Sequence, residues 1–199
     1  MNQFSDEQLV REYYGGEKGA FTELFNRYKL PLFNFARRIL GNRADAEDAL
    51  SEVFMAIATQ KYTIEAGAKF STWAYTVTRN ACLTSLRKQR HTLSLWRKRD
   101  QDQGEEEQWQ LPDEGPSVSD QAISKEKIKA IQKALELMPV NLREALVLRE
   151  YQDLSYKDIA QVLGCSLDNV KVLIFRGREF LSNHLRKSDP ELFGKEGSL

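Results

Sequence analysis

The sequence has 199 residues, of which 41% are hydrophobic, and it carries 29 basic and 29 acidic side chains. This length and apolar content allow one or two domains with hydrophobic cores and exclude a wholly disordered chain. Cys82 and Cys165 lie far apart, without a CxxC pair or a histidine at ligand spacing, so we predict reduced thiols and neither a zinc site nor a disulfide.

No apolar run approaches the length of a membrane span, and the first residues, MNQFSDEQLVREYY, lack the apolar core of a signal peptide. We therefore expect a soluble, cytoplasmic protein without membrane insertion. The balanced total charge conceals three unlike segments. Residues 1–99 have 16 basic and ten acidic side chains, residues 100–120 have none and eight, and residues 121–199 have 13 and 11. The first domain is distinctly basic, which favours a nucleic-acid partner, and an acidic connector separates it from the second domain.

The first two helices are predicted by the helical spacing of their apolar residues. Residues 5–16 begin at a capping serine, Ser5, and end at a glycine pair. From Ala20 to Gly41, apolar and aromatic residues recur every three or four positions, and Pro31 predicts a kink or a helix junction. We expect the aromatic residues of this segment to pack in a core.

The next segment, NRADAEDALSEVFMAIATQ, predicts a helix with an apolar stripe that includes Phe54. Its other face carries Asp45, Asp48 and Glu52. On the residues alone, the positive end of the helix dipole and a solvated face explain these acidic side chains.

After a break at residues 61–69, the segment FSTWAYTVTRNACLTSLRKQRH resumes helical character. Aromatic side chains at its start and a basic run at its end offer stacking surfaces for bases and countercharge for phosphates, the chemistry that captures single-stranded nucleic acid. An amphipathic core helix with a solvated basic end explains the same residues equally well. Residues 92–121 show no sustained periodicity, and their acidic, Gly- and Pro-containing composition predicts a flexible linker.

A second helical unit begins near Ala122 and contains a helix closed at Pro139 and another from Asn141 to Tyr151. Ser155 and Ser166 then each predict a helix start, and Gly164 predicts the tight break between the two helices. The second of these helices places Val170, Ile174, Gly177 and Leu181 on one stripe and Lys171, Phe175, Arg176 and Arg178 elsewhere. This pattern is typical of a helix-turn-helix that lies in a DNA major groove, and an ordinary helical hairpin is the alternative.

Three motifs in this order resemble the extracytoplasmic-function (ECF) group of the sigma-70 family: AEDALSEVF, FSTWAYTVTRN followed by LRKQR, and MPVNLREALVLREYQDLSYKDIAQVLGCSLDNVK. The resemblance covers about residues 8–187. It implies an all-α protein with two small domains, a region 2 helical bundle at residues 1–95 and a region 4 helix-turn-helix domain at residues 122–187. The acidic linker then spans residues 96–121, and a tail spans residues 188–199.

The resemblance further implies a promoter-specificity subunit that binds core RNA polymerase, promoter DNA and commonly an anti-sigma factor. The implied polymerase contact is with the clamp of the largest subunit, through Asp45, Asp48, Glu52 and Phe54. The implied −10 contacts are Lys61, Tyr62, Phe70, Trp73, Arg79, Asn80, Arg87 and Lys88. The implied −35 contacts are Arg149, Tyr156, Ser166, Asn169, Lys171, Phe175, Arg176 and Arg178.

Two positions depart from the family pattern. Val172 and Leu173 replace a small polar residue and an arginine, so the −35 preference cannot be transferred, and Ser51 stands where glutamine is frequent. A stand-alone helix-turn-helix regulator and a sigma mimic that sequesters an anti-sigma factor are alternative hypotheses. The sequence contains no nucleophile–base pair, phosphate loop or metal-ligand set, so we expect no enzymatic activity, cofactor or metal.

Overall fold

The computed structural model describes residues 4–62, 69–96, 118–188 and 190–193, and the regular elements in these ranges are all α-helices. The predicted all-α fold is confirmed. The first domain consists of α1 (Asp6–Tyr14), α2 (Lys18–Leu40), α3 (Arg43–Ala58) and α4 (Phe70–Trp96). The second consists of α5 (Val118–Leu137), α6 (Val140–Glu150), α7 (Tyr156–Leu163), α8 (Leu167–Ser188) and α9 (Pro190–Phe193).

Polar side chains define the helix starts, as the sequence predicts for Ser5. Ser5 and Gln8 form a reciprocal capping box at α1, and the Asn42 side chain accepts a hydrogen bond from the backbone N–H of Asp45 at α3. Each cap satisfies a first-turn amide that has no partner inside the helix. These bonds are local, so the helix starts can be predicted without tertiary information.

The long helix α2 organises the first domain, because α1, α3 and α4 all pack against it. Its inward stripe includes Leu24, Phe35 and Ile39, none of which is exposed. The ring of Phe35 meets that of Tyr75 on α4 edge to face, with centroids 5.6 Å apart. This packing fixes the orientations of α3 and α4, which carry the predicted polymerase and −10 residues.

Helix boundaries differ from the sequence predictions in three places. α2 continues through Pro31, so no helix junction occurs there, and burial of Leu24 and Leu32 on either side holds the helix together despite one missing backbone hydrogen bond. α4 continues to Trp96 and α5 begins at Val118, inside the segment predicted to be linker, because an established helix extends at little cost without an apolar stripe. α9 orders part of the predicted tail, while residues 97–117 and 194–199 lie outside the described residues.

Gly177 lets α8 lie unusually close to α6 in the second domain. A methyl group at this position would lie 3.3 Å from both the carbonyl oxygen of Leu142 and Cβ of Leu146. The second domain also contacts the first, through α5 and α6 against α2 and through α7 against α4. The two domains therefore share one continuous buried cluster.

Candidate nucleic-acid and polymerase interfaces

Helices α7 and α8 form the predicted helix-turn-helix. The Ser155 hydroxyl accepts a hydrogen bond from the N–H of Asp158, and the Ser166 hydroxyl accepts one from the N–H of Asn169, at 3.1 and 3.2 Å. Gly164 ends α7 in the left-handed conformation, with φ of 65°, which a residue with a side chain adopts at a cost. The predicted DNA contact Ser166 thus already has a structural role as the cap of α8.

The outward face of α8 is open to solvent. Val170, Ile174 and Gly177 are buried on the opposite side, as the sequence predicts. The predicted −35 residues exposed on the outward face are Asn169, Lys171, Phe175 and Arg176. Lys171 forms an exposed ion pair with Asp168, at 2.9 Å, one turn away. Such an exposed pair contributes little free energy, so Lys171 can exchange it for a phosphate.

The other predicted −35 residues have partners inside the second domain. Arg149 donates a hydrogen bond to the carbonyl of Leu154 at 3.0 Å, and its guanidinium lies over the ring of Tyr156. The structure therefore brings Arg149 and Tyr156 together where α6 meets α7. Arg178 instead pairs with Glu150 of α6, at 3.0 Å from Nε, and both side chains of this ion pair are exposed.

Two of the predicted −10 aromatic side chains lie in the core of the first domain. Phe70 is 0% and Tyr62 is 3% exposed, and both rings pack against Trp73, with centroids 5.6 and 4.8 Å away. Their spacing therefore reflects core packing, the alternative that the residues alone left open. Trp73 is half-buried.

The predicted polar −10 residues are mostly at the surface. Lys61, Asn80, Arg87 and Lys88 are exposed. Arg79 differs, because its Nε lies 3.1 Å from a carboxylate oxygen of Glu144 in the second domain. Within the predicted break at residues 61–69, residues 63–68 lie outside the described residues.

Asp48 and Glu52 lie one turn apart on the exposed face of α3. Asp45, by contrast, accepts a hydrogen bond from the side-chain amide of Asn42, at 2.7 Å, and another from Gln89 of α4. The ring of Phe54 is buried, 4.7 Å between centroids from that of Phe25. Asp45 and Phe54 therefore hold the domain together, and Asp48 and Glu52 are the members of the predicted set that a partner can reach.

Met55 is a surface residue that the sequence analysis missed. It is 62% exposed, and it follows Glu52 by three positions, so it extends the stripe formed by Asp48 and Glu52. An exposed methionine beside carboxylates offers an adaptable apolar contact to a protein partner. The sequence could have indicated this surface, because the spacing of residues 48, 52 and 55 places them on one face of a helix.

Arg143 and Glu144 contribute to the contact between the domains, together with a hydrogen bond from the Tyr75 hydroxyl to Gln152 at 2.6 Å and an ion pair of Lys69 with Asp158 at 2.9 Å. The sequence analysis assigned no role to Arg143 or Glu144. Arg143 donates hydrogen bonds to the carbonyls of Glu136 and Met138 in its own domain and to that of Ile39 in the first domain, all within 2.9 Å. Glu144 is 2% exposed, and burial raises its pKa, although Arg79 opposes the shift. Burial raises the pKa of the Cys82 thiol to about 12, and the nearby negative charge of Glu144 adds to this shift.

Within the described residues, no group of three His, Cys, Asp or Glu side chains could hold a metal ion, and no helix is long and apolar enough to cross a membrane. Most of the predicted site residues that are exposed lie on an acidic surface of α3, on a cationic surface of α8 and along α4. The core holds these three helices in place.

Comparison with known proteins identifies the family of this chain. The profile for sigma-70 region 2 matches residues 24–92, and that for sigma-70 region 4 matches residues 128–181. The chain is 30% identical over 182 residues to the ECF RNA polymerase sigma factor SigM of Mycobacterium tuberculosis, covering 91% of this chain and 85% of that protein. The chain belongs to the ECF sigma factors of the sigma-70 family.

This ECF sigma factor is also 28% identical over 177 residues to SigW of Bacillus subtilis, covering 89% and 95% of the two chains. Among solved structures, it is similar to the sigma factor RpoE of Bartonella quintana, in complex with the anti-sigma factor NepR. That match has a TM-score of 0.67 at 25% identity and covers 85% and 98% of the chains. CnrH, in complex with the cytosolic domain of CnrY, shares the fold, with a TM-score of 0.65 at 21% identity over 94% and 99%.

The matched regions fall within the two predicted domains, with α3 and α4 in region 2 and α6, α7 and most of α8 in region 4. A stand-alone helix-turn-helix regulator would not need a region 2, so the sigma-factor hypothesis is favoured over that alternative. The individual DNA and polymerase contacts stay predictions.

Proposed function

We propose that this ECF sigma factor binds core RNA polymerase and directs initiation from promoters that it recognises with α8 at the −35 element and α4 at the −10 element. The observation that carries the proposal is the outward face of α8, where Lys171, Phe175 and Arg176 are exposed while the buried stripe holds the helix. The role is one of binding and positioning, without a catalytic step.

At the −35 element, Lys171 and Arg176 supply positive charge beside the groove, and Arg176 can donate two hydrogen bonds to one guanine. We propose that Arg149 and Tyr156, which lie together where α6 meets α7, contact the flanking phosphates. Phosphate contacts fix the register of α8 on the duplex, and contacts with base edges select the sequence.

At the −10 element, the exposed side chains Asn80, Arg87 and Lys88 follow one another along α4. They offer hydrogen bonds and positive charge to a separated strand. A base that leaves the duplex loses a few kcal/mol of stacking, so polymerase must help to open the promoter. Phe70 and Tyr62 support α4 from inside the domain and are left out of the proposed contacts.

At the polymerase, Asp48, Glu52 and Met55 form a surface that combines two carboxylates with an apolar anchor. On the basis of the family resemblance, we propose that Asp48 and Glu52 contact the basic clamp of the largest subunit and that Met55 extends this contact. Charge complementarity accelerates association, while the buried apolar part of such an interface supplies much of its affinity.

We also propose control by an anti-sigma factor. The related RpoE structure contains one, and it is similar to this protein over most of both chains. A protein that covers α8 or the acidic surface of α3 would block a contact that promoter use requires.

Run-off transcription with purified core polymerase and fragments of the source genome tests the proposal. Adding this protein should produce discrete new transcripts. The double variant Lys171→Ala/Arg176→Ala should reduce their yield more than tenfold, since each lost charged contact costs about 1 kcal/mol or more, while polymerase binding is retained. The variant Asp48→Lys/Glu52→Lys should lose polymerase binding itself.

Arg186→Ala and Glu12→Lys are matched controls, because each changes an exposed charge outside the proposed surfaces. Both should transcribe like the unmodified protein. Polymerase binding without transcripts would favour the sigma mimic, and absence of polymerase binding would overturn the proposal.

A further inference from the structure

Two apolar side chains interrupt the cationic face of α8. Val172 is 44% and Phe175 is 68% exposed, and because they are three positions apart they lie next to each other on the helix. Val172 lies almost opposite the buried stripe of Val170 and Ile174. Val172 therefore points directly away from the domain core.

The fold itself makes little use of these two side chains. The buried stripe already attaches α8 to α6, and Leu173 is half-buried and packs against the core. Val172 and Phe175 thus leave apolar surface in water, which costs free energy unless a partner covers it. Their exposed neighbours Lys171 and Arg176 indicate that the partner is anionic.

Duplex DNA combines negative charge with one apolar group in the major groove, the C5-methyl group of thymine. Valine has no hydrogen-bonding atom in its side chain. If it faced the amino group of cytosine or the N7 and O6 atoms of guanine, it would remove their water without replacing the hydrogen bonds. A thymine methyl is the base-edge group that Val172 can contact without that penalty.

We propose that Val172 and Phe175 form an apolar reader that selects thymine within the −35 element. The proposal rests on the assignment of α8 to that element and adds a base preference to it. Val172, in the second helical turn, contacts one thymine methyl near the N-terminal end of α8, where recognition helices approach the bases. Phe175 covers the same methyl or the adjacent one from the third turn.

The test uses the reconstituted holoenzyme and a promoter fragment mapped by run-off transcription. Each thymine in the −35 region is replaced singly by deoxyuridine, which removes only the methyl group and preserves base pairing. We expect at least one replacement to weaken binding about fourfold, the factor that corresponds to exposing one buried methyl group. The Val172→Ser variant should bind the thymine and the deoxyuridine fragments with the same affinity at that position.

Glu179→Ala is the matched control, because Glu179 lies on the same exposed face without apolar surface. It should retain the fourfold thymine-to-deoxyuridine ratio even if its overall affinity changes. As a reciprocal test, a cytosine at the sensitive position should bind more tightly when it is 5-methylated, and only to the protein that has Val172.

The proposal is overturned if no deoxyuridine position weakens binding, or if Val172→Ser keeps the full loss. A Val172→Ser variant that loses polymerase or an anti-sigma factor but retains thymine sensitivity would assign this face to a protein partner instead. If the unmodified holoenzyme failed to bind the unmodified fragment, the proposed function itself would be wrong. This outcome differs from a failure of thymine selection, in which the unmodified fragment is still bound.

Discussion

At the scale of single residues, Gly177 controls the distance between α6 and α8. In most helix interiors, alanine is more stable than glycine by about 1 kcal/mol because it has less backbone freedom to lose. Here the added methyl group would lie 3.3 Å from the backbone carbonyl of Leu142, which cannot rotate away as a flexible side chain can. The two effects oppose each other.

We predict that Gly177→Ala lowers the free energy of unfolding by about 1 kcal/mol, since overpacking of about 1–3 kcal/mol exceeds the gain in helix propensity. Urea denaturation followed by circular dichroism measures the change. Glu179→Ala, an exposed substitution on the same helix, should be nearly neutral. A more stable Gly177→Ala variant would show that α6 moves aside.

At the scale of helices, α1 caps α4 across the domain. A carboxylate oxygen of Glu7 accepts a hydrogen bond from the backbone N–H of Phe70, the first residue of α4, at 2.9 Å. Burial alone would raise the pKa of Glu7, but this bond acts together with hydrogen bonds from the Glu7 backbone and the Ser5 side chain and with the charge of Arg11. Their combined effect holds the pKa below its ordinary value. A first-turn amide of α4 thus depends on a side chain 63 positions earlier in the chain.

The lowered pKa of Glu7 predicts a pH dependence of stability. At a pH between the two pKa values of Glu7, the unfolded state binds more protons than the folded state. The stabilisation by ionised Glu7 is therefore complete above its unfolded pKa of about 4.3. It is lost as the pH falls through the lower pKa of the folded state. We expect Glu7→Ala to destabilise the protein by about 1–2 kcal/mol at pH 7 and by less under acid conditions.

Thermal denaturation between pH 3 and pH 7 measures this difference, in steps chosen around the ordinary value for glutamate of about 4.3. Glu7→Gln keeps an oxygen that can accept the bond but does not titrate, so its curve should be flatter on the acid side. Glu12→Ala is the control for an exposed carboxylate on the same helix. A pH-independent effect of Glu7→Ala would contradict the assigned role.

At the scale of the whole molecule, the two domains pack so that Glu144 and Arg79 neutralise each other at their boundary. Arg79 is 21% exposed and Glu144 is 2% exposed. In this packed arrangement the Nε of Arg79 faces Glu144, so a −10 contact by Arg79 would use its other guanidinium N–H groups or would need this boundary to open.

We predict that Arg79→Ala shifts the protein towards separated domains, because it leaves a buried carboxylate unpaired at a cost of about 3–5 kcal/mol. Small-angle X-ray scattering should show a larger radius of gyration. The double variant Arg79→Ala/Glu144→Ala should recover most of the compactness, since it removes both charges. Arg87→Ala, which removes an exposed cation about two turns further along α4, is the control.

A compact Arg79→Ala variant would contradict this prediction. It would show that the other contacts across the boundary suffice to hold the domains together, among them the bond of Arg143 to the carbonyl of Ile39, at 2.7 Å, and that of the Tyr75 hydroxyl to Gln152, at 2.6 Å.

The helix-turn-helix was predictable because its signals are local. Ser155 and Ser166 cap amides three positions away, and Gly164 adopts a left-handed turn within its own segment. The inward and outward faces of α8 follow from the helical repeat alone. For the same reason, the sequence could show that Lys171, Phe175 and Arg176 share a surface.

The sequence by itself determined most of the helices, the serine caps of α1, α7 and α8, the order of the two domains and the face of α8 that meets solvent. Tertiary structure alone decided that Phe70 and Tyr62 lie in the core, that Asp45 is used internally and that Arg79 pairs with Glu144. Periodicity gives the side of a helix on which a residue lies, but burial and pairing depend on what another segment places against that side, often far along the chain.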